Sequence, residues 1–233
     1  MNRQIRILVV EDEEAIRAGL VDVLVYHGYQ VESAASGPAG LGKALSGKFD
    51  LLLLDIMLPG MDGYTICNSV REHDRQLPII MLTARTSDQE IIEGLRLGAD
   101  DYVGKPFSIQ QLVLRIEAVL RRTRIGQEQA RTLQLGGITI DTENLSGHGS
   151  KGPLVFTRRE IDILNYLAAN PGRPVAREEL LAKVWGYARN LDIETRTVDI
   201  HIAKLRRKIE ADPRQPRNLV TVRGAGYRLD VGD

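Results

Sequence analysis

The chain holds a single cysteine, Cys67, among 233 residues, so no disulfide can form within it and scaffolds stapled by such bonds are excluded. Its four histidines, His27, His73, His148 and His201, lack the spacing of a zinc site. Long apolar runs are missing as well. The longest purely aliphatic stretches, Ile7 to Val10 and Leu51 to Leu54, have four residues each, against the roughly 18 needed to cross a bilayer. The amino terminus passes from ILVV directly into the acids of EDEE, with no small-residue cleavage site. These shortages predict a soluble, cytoplasmic protein with no membrane partner. With 43% hydrophobic and 27% charged residues the composition is globular, and the length suits one or two domains.

The net charge of zero conceals an asymmetry. Residues 1–122 carry 13 basic against 17 acidic side chains, a balance of −4; the remainder carries 18 against 14, a balance of +4. In the acidic half, β-branched and leucine-rich runs alternate with segments of helical period, which predicts βα units around a parallel sheet. Strands are expected over Ile5–Val10, Gln30–Ala35, Leu51–Asp55, Pro78–Thr83 and Asp101–Val103, with helices between them. The last helix, Ser108–Arg121, places Leu112, Ile116, Val119 and Leu120 on one face. Five strands and five helices make one α/β doubly wound domain, whose chemistry belongs at the carboxyl ends of its strands.

Residues 123–132 show no apolar period and read as a linker; about ten flexible residues span roughly 15 to 20 Å. The second half, 133–233, opens with short strand-like pieces at Leu133–Asp141, Asn144–Ser146 and Leu154–Thr157. A capping box at Thr157 and Glu160, with Phe156 stapled onto Ile161, starts the first of three helices: Arg158–Ala169, Ala176–Trp185 and Thr195–Glu210. The end, LVTVRGAGYRLD, carries a hairpin signal around Gly224 and Gly226. Strands, three helices and a terminal hairpin predict an α+β winged helix.

In the first half every strand except the second delivers a polar group to the same sheet edge: Glu11 and Asp12, Asp55, Thr83 and Ala84, and Lys105. Two carboxylates about 4 Å apart repel by roughly 4 kcal/mol at an effective dielectric of about 20. Gathering three therefore requires positive charge. Lys105 supplies one unit, and Mg²⁺, which accepts a few carboxylates and several waters, supplies two more. The neutralised pocket suits a phosphoryl group, with Asp55 as nucleophile and Mg²⁺, Lys105, the Thr83 hydroxyl and the Ala84 amide holding its equatorial oxygens. Three competing readings fail. Gly42 to Lys48 satisfies a P-loop pattern, but Phe49 stands where a hydroxyl is required and the segment precedes a strand. A dehalogenase-like phosphatase needs an acid two residues after Asp55, where Met57 stands. The sequon at Asn144 has no route to secretion.

The blocks ILVVEDEE, LLLLDIMLPGMDG, IIMLTAR and GADDYVGKPF resemble the signature blocks of the two-component receiver domain over residues 1 to about 122. By that resemblance Asp55 is the phosphoacceptor. Asp12, Asp55 and the Met57 carbonyl ligate Mg²⁺, with Glu11 acting mostly through water, and Thr83 and Tyr102 form a switch pair. Catalysis would extend only to the domain's own phosphorylation and dephosphorylation.

The helix Thr195–Glu210 aligns Val198, Ile202, Leu205 and Ile209 as a core side, with Arg196, Ile200, Ala203 and Arg207 opposite and Thr197, His201, Lys204 and Lys208 on one flank. Residues 196–208 carry five basic side chains against one acid, Asp199, which suits entry into the major groove of double-stranded DNA. Arg223, at the hairpin tip, can enter the minor groove. RTVDIHIAKLRRKI and TVRGAGYRL are similar to the winged-helix effector of OmpR/PhoB-type response regulators. The resemblance implies that Arg196, Thr197, His201, Lys204 and Arg206 face DNA, with one phosphate contact fewer at Ala203. It also implies that the loop Gly186–Glu194 meets RNA polymerase.

Members of this family dimerise through the last strand and last two helices of the receiver. Asp100, Asp101, Arg115 and Arg122 match the family's ion pairs, Leu95 and Val113 its apolar patch, and Arg96 and Glu117 a charge-swapped pair; Ile91 and Gln111 break another. The expected protein is a transcription factor phosphorylated by a sensor histidine kinase, forming a homodimer on tandem half-sites roughly 10 to 11 bp apart. Two other readings stand beside it. One is a DNA-binding regulator whose receiver dimerises without phosphate. The other, disfavoured by Met57, is a phosphotransfer or phosphatase enzyme.

Overall fold

The computed structural model describes residues 4–84, 97–124, 132–149, 152–187 and 195–230, with 121–124 as backbone only. Two compact units divide the chain, residues 1–120 and 121–233.

In the first unit β1 (Arg6–Val10), β2 (Gln30–Ala34), β3 (Leu51–Asp55), β4 (Ile79–Thr83) and β5 (Asp101–Gly104) form one sheet in the order β2-β1-β3-β4-β5, with every neighbouring pair parallel. The helices are α1 (Glu14–Tyr26), α2 (Gly37–Ala44), α3 (Gly63–His73) and α4 (Ile109–Arg124). A further helix, expected between β4 and β5, falls on residues 85–96, outside the described residues. Both faces of the sheet are covered, which is why Leu51, Leu52, Leu53 and Leu54 are all buried instead of alternating. Ile7, Val9, Leu51, Leu53, Ile80 and Leu82 cluster with Leu20 and Leu24 of α1 and with the expected stripe Leu112, Ile116, Val119 and Leu120 of α4.

Strand order reverses between β1 and β3. In open parallel sheets that reversal leaves a crevice beyond the strand ends, because the flanking connections depart to opposite faces. The observed topology thus selects the ends of β1 and β3 as the place for chemistry.

The edge beyond β4 is fixed by a buried ion pair. Arg71 of α3 donates from Nη2 to Asp100 Oδ2 at 2.8 Å, from Nη1 to the Leu77 carbonyl at 2.7 Å and from Nε to the Gly98 carbonyl at 2.8 Å. Asp100 also accepts the Ile79 amide at 2.9 Å, so one carboxylate sets the starts of β4 and β5 together.

The second unit has an antiparallel sheet of β6 (Thr132–Leu135), β7 (Ile138–Asp141), β8 (Ser146–Gly149) and β9 (Gly152–Val155). The single piece expected over 133–141 is two strands, because Gly136 and Gly137 both take positive φ and turn the chain. There follow α5 (Arg158–Ala168), α6 (Arg177–Leu180) continued by a π-helical turn (Leu181–Trp185), and α7 (Arg196–Ile209). The capping box is present: Thr157 Oγ1 accepts the Glu160 amide and Glu160 accepts the Thr157 amide. The terminal hairpin joins β10 (Leu219–Val222) to β11 (Gly226–Leu229) and is extended by a bridge between Val175 and Tyr227. Gly226 is required there: its φ is +119°, and a Cβ would lie 2.0 Å from the Val175 carbonyl oxygen. This is the expected winged helix.

Replacing Arg71 by Ala strands Asp100 as a buried, uncompensated charge. We expect a loss of about 3 to 5 kcal/mol from the first unit, measured as a lower urea midpoint of the full chain.

Candidate metal centre and nucleic-acid interface

Glu11 and Asp12 follow β1, Asp55 ends β3, Thr83 ends β4, and Lys105 follows β5. The three acids offer carboxylate oxygens that all lie within 4.8 Å of one another. Lys105 Nζ stands 2.7 Å from Glu11 Oε2 and 2.9 Å from Asp55 Oδ2. Burial raises the pKa of Glu11 and the Asp55 charge adds to that effect; the Lys105 hydrogen bond opposes both without cancelling them. Burial alone would lower the pKa of Lys105, yet its two carboxylate partners raise it. Three carboxylates against one ammonium leave an excess of negative charge, and the hard oxygen donors fit a divalent cation of the Mg²⁺ kind. Asp12 is the exposed member. Asp55 Oδ1 accepts the Met57 amide at 3.3 Å, and the Met57 side chain is exposed.

Two residues that support the pocket carried no readable signal. Arg17 of α1 donates from Nη1 to the carbonyls of Glu11 and Asp12, each at 2.8 Å, and so fixes the turn that presents both acids. Gly63 opens α3 so close to the end of β3 that a Cβ would lie 2.2 Å from the Asp55 carbonyl oxygen. Neither follows from a local motif, because each depends on an approach between distant segments. Thr83 is buried, Ala84 next to it is exposed, and Tyr102 is half-buried on β5, in register with Met81.

Several residues expected at the dimer face are engaged within the protomer. Asp100 is buried and engaged by Arg71 within the protomer. Asp101 is fully buried and pairs with Arg115 Nη1 at 2.7 Å. Asp100 precedes β5 and Asp101 begins it, and each is closed in by an arginine of a neighbouring helix. Val113 is also buried, so it supplies no exposed apolar patch. Glu117 lies 3.9 Å from His27, just after α1. Leu95, Arg96, Ile91 and the side chain of Arg122 lie outside the described residues.

In the second unit the core row of α7 is as expected: Val198, Ile202, Leu205 and Ile209 are buried. Thr197 and His201, expected to face DNA, are 2% and 1% exposed. The reason is helical spacing. His201 lies three residues after Val198 and four before Leu205, so it belongs to the core row, and Thr197 lies one turn earlier in line with it. His201 meets Trp185 edge-on, with ring centroids 5.3 Å apart, and the Arg159 guanidinium covers Trp185 at 4.9 Å. Ile200 is also buried, so it offers no exposed methyl surface. Arg196 is partly exposed, and Arg223 is exposed at the hairpin tip.

Other basic groups of α7 have partners within the unit. Lys208 Nζ lies 2.6 Å and Lys204 Nζ 3.5 Å from the fully buried carboxylate of Glu160. Arg206 donates to the Leu219 carbonyl at 2.8 Å and to Thr221 Oγ1 at 2.7 Å. A second network joins helix and hairpin: the Tyr227 hydroxyl donates to Asp199 Oδ1 at 2.6 Å, and Arg177 Nε reaches the same oxygen at 2.6 Å. Burial pushes the Tyr227 hydroxyl up to about 12, aided by Asp199. The loop Gly186–Glu194 is described only to residue 187.

Comparison with known proteins agrees with this architecture. Residues 7–117 match the response regulator receiver domain, and residues 151–229 match the carboxy-terminal domain of transcriptional regulatory proteins. The sensory transduction protein RegX3 of Mycolicibacterium smegmatis is 40% identical over 227 residues, covering 96% of this chain and 98% of that protein. The alkaline phosphatase synthesis transcriptional regulatory protein PhoP of Bacillus subtilis is 38% identical over 233 residues, covering 97% and 96%. Among solved structures, a RitR mutant matches with a TM-score of 0.76 at 31% identity, covering 98% of this chain and all of that one. DrrB, an OmpR/PhoB homologue from Thermotoga maritima, gives a TM-score of 0.53 at 30% identity, covering 97% and 99%.

The chain belongs to the OmpR/PhoB-type response regulators. It is a two-component, DNA-binding transcriptional regulator and not a classical enzyme; family membership implies a sensor kinase and DNA as partners. No described helix is long and apolar enough to cross a membrane.

Glu160 sets a pH dependence. Burial raises its pKa, but Lys204, Lys208 and the Thr157 amide outweigh burial and hold it below the ordinary value of 4.5. Its stabilising contribution is therefore complete above that value and is lost as pH falls through the lower folded value. We expect the second unit to lose stability in acid below about pH 4.5, read by thermal melts across pH, with a shallower dependence in Glu160→Gln.

Proposed function

We propose that Asp55 accepts a phosphoryl group from a phosphohistidine of the sensor kinase, and that the phosphate controls pairing of two molecules on DNA. The observation that carries this reading is the convergence of Glu11, Asp12 and Asp55 at the switch point of the sheet, with Lys105 bridging Glu11 and Asp55. An Asp55 carboxylate oxygen attacks phosphorus, forming the P–O bond as the P–N bond breaks, and the imidazole leaves with the electron pair. Asp12, Asp55 and the Met57 carbonyl would hold Mg²⁺, with Glu11 acting mostly through water. When bound, the ion offsets the charge on the transferring oxygens. Lys105, already between two carboxylates, turns toward the incoming phosphoryl oxygens, and the Thr83 hydroxyl and Ala84 amide hold the others. Phosphotransfer and hydrolysis at Asp55 are the domain's whole chemistry.

The switch runs from Thr83 to Tyr102 on the adjacent strand, which moves the outer surface of β5 and α4. Arg115 and Glu117, with Leu95, Arg96 and Arg122, are the groups assigned to the dimer face; Asp101 acts there through its hold on Arg115. Residues 123–132 tether the receiver, 1–122, to the effector, 133–233. In the effector, Arg196 leads α7 into the major groove, with Lys204 and Arg206 along its flank, while Arg223 enters the minor groove. Thr197 and His201 support the helix from within. Pairing multiplies phosphate contacts and effective concentration, so affinity follows phosphorylation. The Gly186–Glu194 loop meets RNA polymerase, and the protein acts in the cytoplasm.

Incubation with acetyl phosphate and Mg²⁺ should add one phosphoryl mass, and Asp55→Asn should abolish it; an unchanged mass in the unmodified protein favours a receiver that dimerises without phosphate. Turnover of many equivalents favours an enzyme. Lys105→Ala should retain phosphate yet fail to dimerise by light scattering, and normal phosphate-dependent pairing contradicts the assigned role. Arg223→Ala should weaken DNA binding without changing phosphorylation, measured by fluorescence anisotropy and intact mass.

A further inference from the structure

Beside the outward face of α7 the surface forms a hollow of about 370 Å³ lined by Ala203, Arg206, Arg207, Asp212, Pro213 and Arg214. Ala203 and Arg207 lie one helical turn apart and both are exposed, so the single methyl group of Ala203 leaves space between the helix and the segment that follows it. That segment turns at Asp212, whose Oδ1 accepts the Arg214 amide at 2.9 Å and whose carbonyl accepts the Gln215 amide at 3.1 Å. The turn brings a third guanidinium to the rim. Three positive charges and one carboxylate leave an excess of two. Arg173, Arg177 and Arg228 all pair with carboxylates, whereas among the described residues Arg207 and Arg214 have no such partner.

We infer that this hollow receives a phosphate of the DNA backbone, held by the Arg207 and Arg214 side chains. The inference rests on the reading of α7 and the hairpin as the DNA-binding elements. Arg206 lines the hollow and is bonded to Leu219 and Thr221 of β10, so the hollow adjoins both elements at their junction. A duplex that takes α7 in its major groove and the hairpin tip in the neighbouring minor groove has one phosphodiester strand between the two grooves. That strand passes the junction. Arginine forks present paired N–H donors that match phosphate oxygens, and such contacts set register without reading bases.

The test uses the full chain and a duplex recovered by selection of bound DNA, with anisotropy titrations over roughly 50 to 200 mM salt. Arg214→Ala should weaken binding about three- to tenfold and reduce the slope of log affinity against log salt by about one, with base preference unchanged. Arg207→Ala should behave alike. Arg217→Ala removes an equal charge from the same segment but outside the hollow, and should change little. An unchanged slope in Arg214→Ala, or an equal loss in Arg217→Ala, overturns the site while leaving the DNA-binding reading intact. Failure of the unmodified chain to bind any selected duplex overturns both.

Discussion

The bridge from Lys105 to Glu11 and Asp55 is the interaction on which the first unit's chemistry depends. Two buried carboxylates at the ends of neighbouring strands repel, and the burial that excludes water strengthens that repulsion. One ammonium between them makes the arrangement tolerable without completing its neutralisation. A fully neutral pocket would have no use for a divalent cation, and one without Lys105 would resist the approach of an anion. The incomplete balance favours a cation. On the proposed function the same bridge would also signal: a phosphoryl oxygen would compete for Lys105, a side chain anchored just after β5.

A related device has a different effect in the second unit. The buried Glu160 carboxylate draws Lys204 and Lys208 inward, tying α7 to the start of α5. Counting charges along residues 196–208 therefore overstates what the helix has free, since Lys204, Arg206 and Lys208 all have intramolecular partners. These pairs trade surface charge for orientation. The network of Asp199, Tyr227 and Arg177 acts in the same direction by bonding the hairpin to α7.

The fold was legible in the sequence where local pattern and burial agree. Leu51–Leu54 and Ile79–Leu82 read as strands covered on both faces, and the Thr157–Glu160 box marked a helix start to within a residue. The converging carboxylates were legible too, because a doubly wound sheet sends successive strand ends to one edge. Placement on a helix flank was harder to read. Thr197 and His201 are polar and were assigned to the outer surface, but a core row wider than its four aliphatic residues takes them in, with Trp185 of the π-helical turn filling the space beside His201. Asp100 and Asp101 were assigned to a dimer face by family resemblance, and local sequence gave no sign that Arg71 and Arg115 engage them within the protomer. In each case the deciding partner is far away in sequence.

That pattern bears on how such a protein can change its output without changing its fold. Groups that close the core, such as Arg71 with Asp100 or Glu160 with its lysines, carry large penalties when one partner is removed, because a buried charge is left behind. Exposed groups on the proposed DNA side, such as Arg207, Arg214 and Arg223, have no comparable structural duty and can vary at small cost in stability. Variation in affinity is therefore cheapest on the surface beyond the core row of α7, while that row stays fixed. A regulator built this way can alter how tightly it holds the backbone while keeping the orientation in which its helix reads the bases.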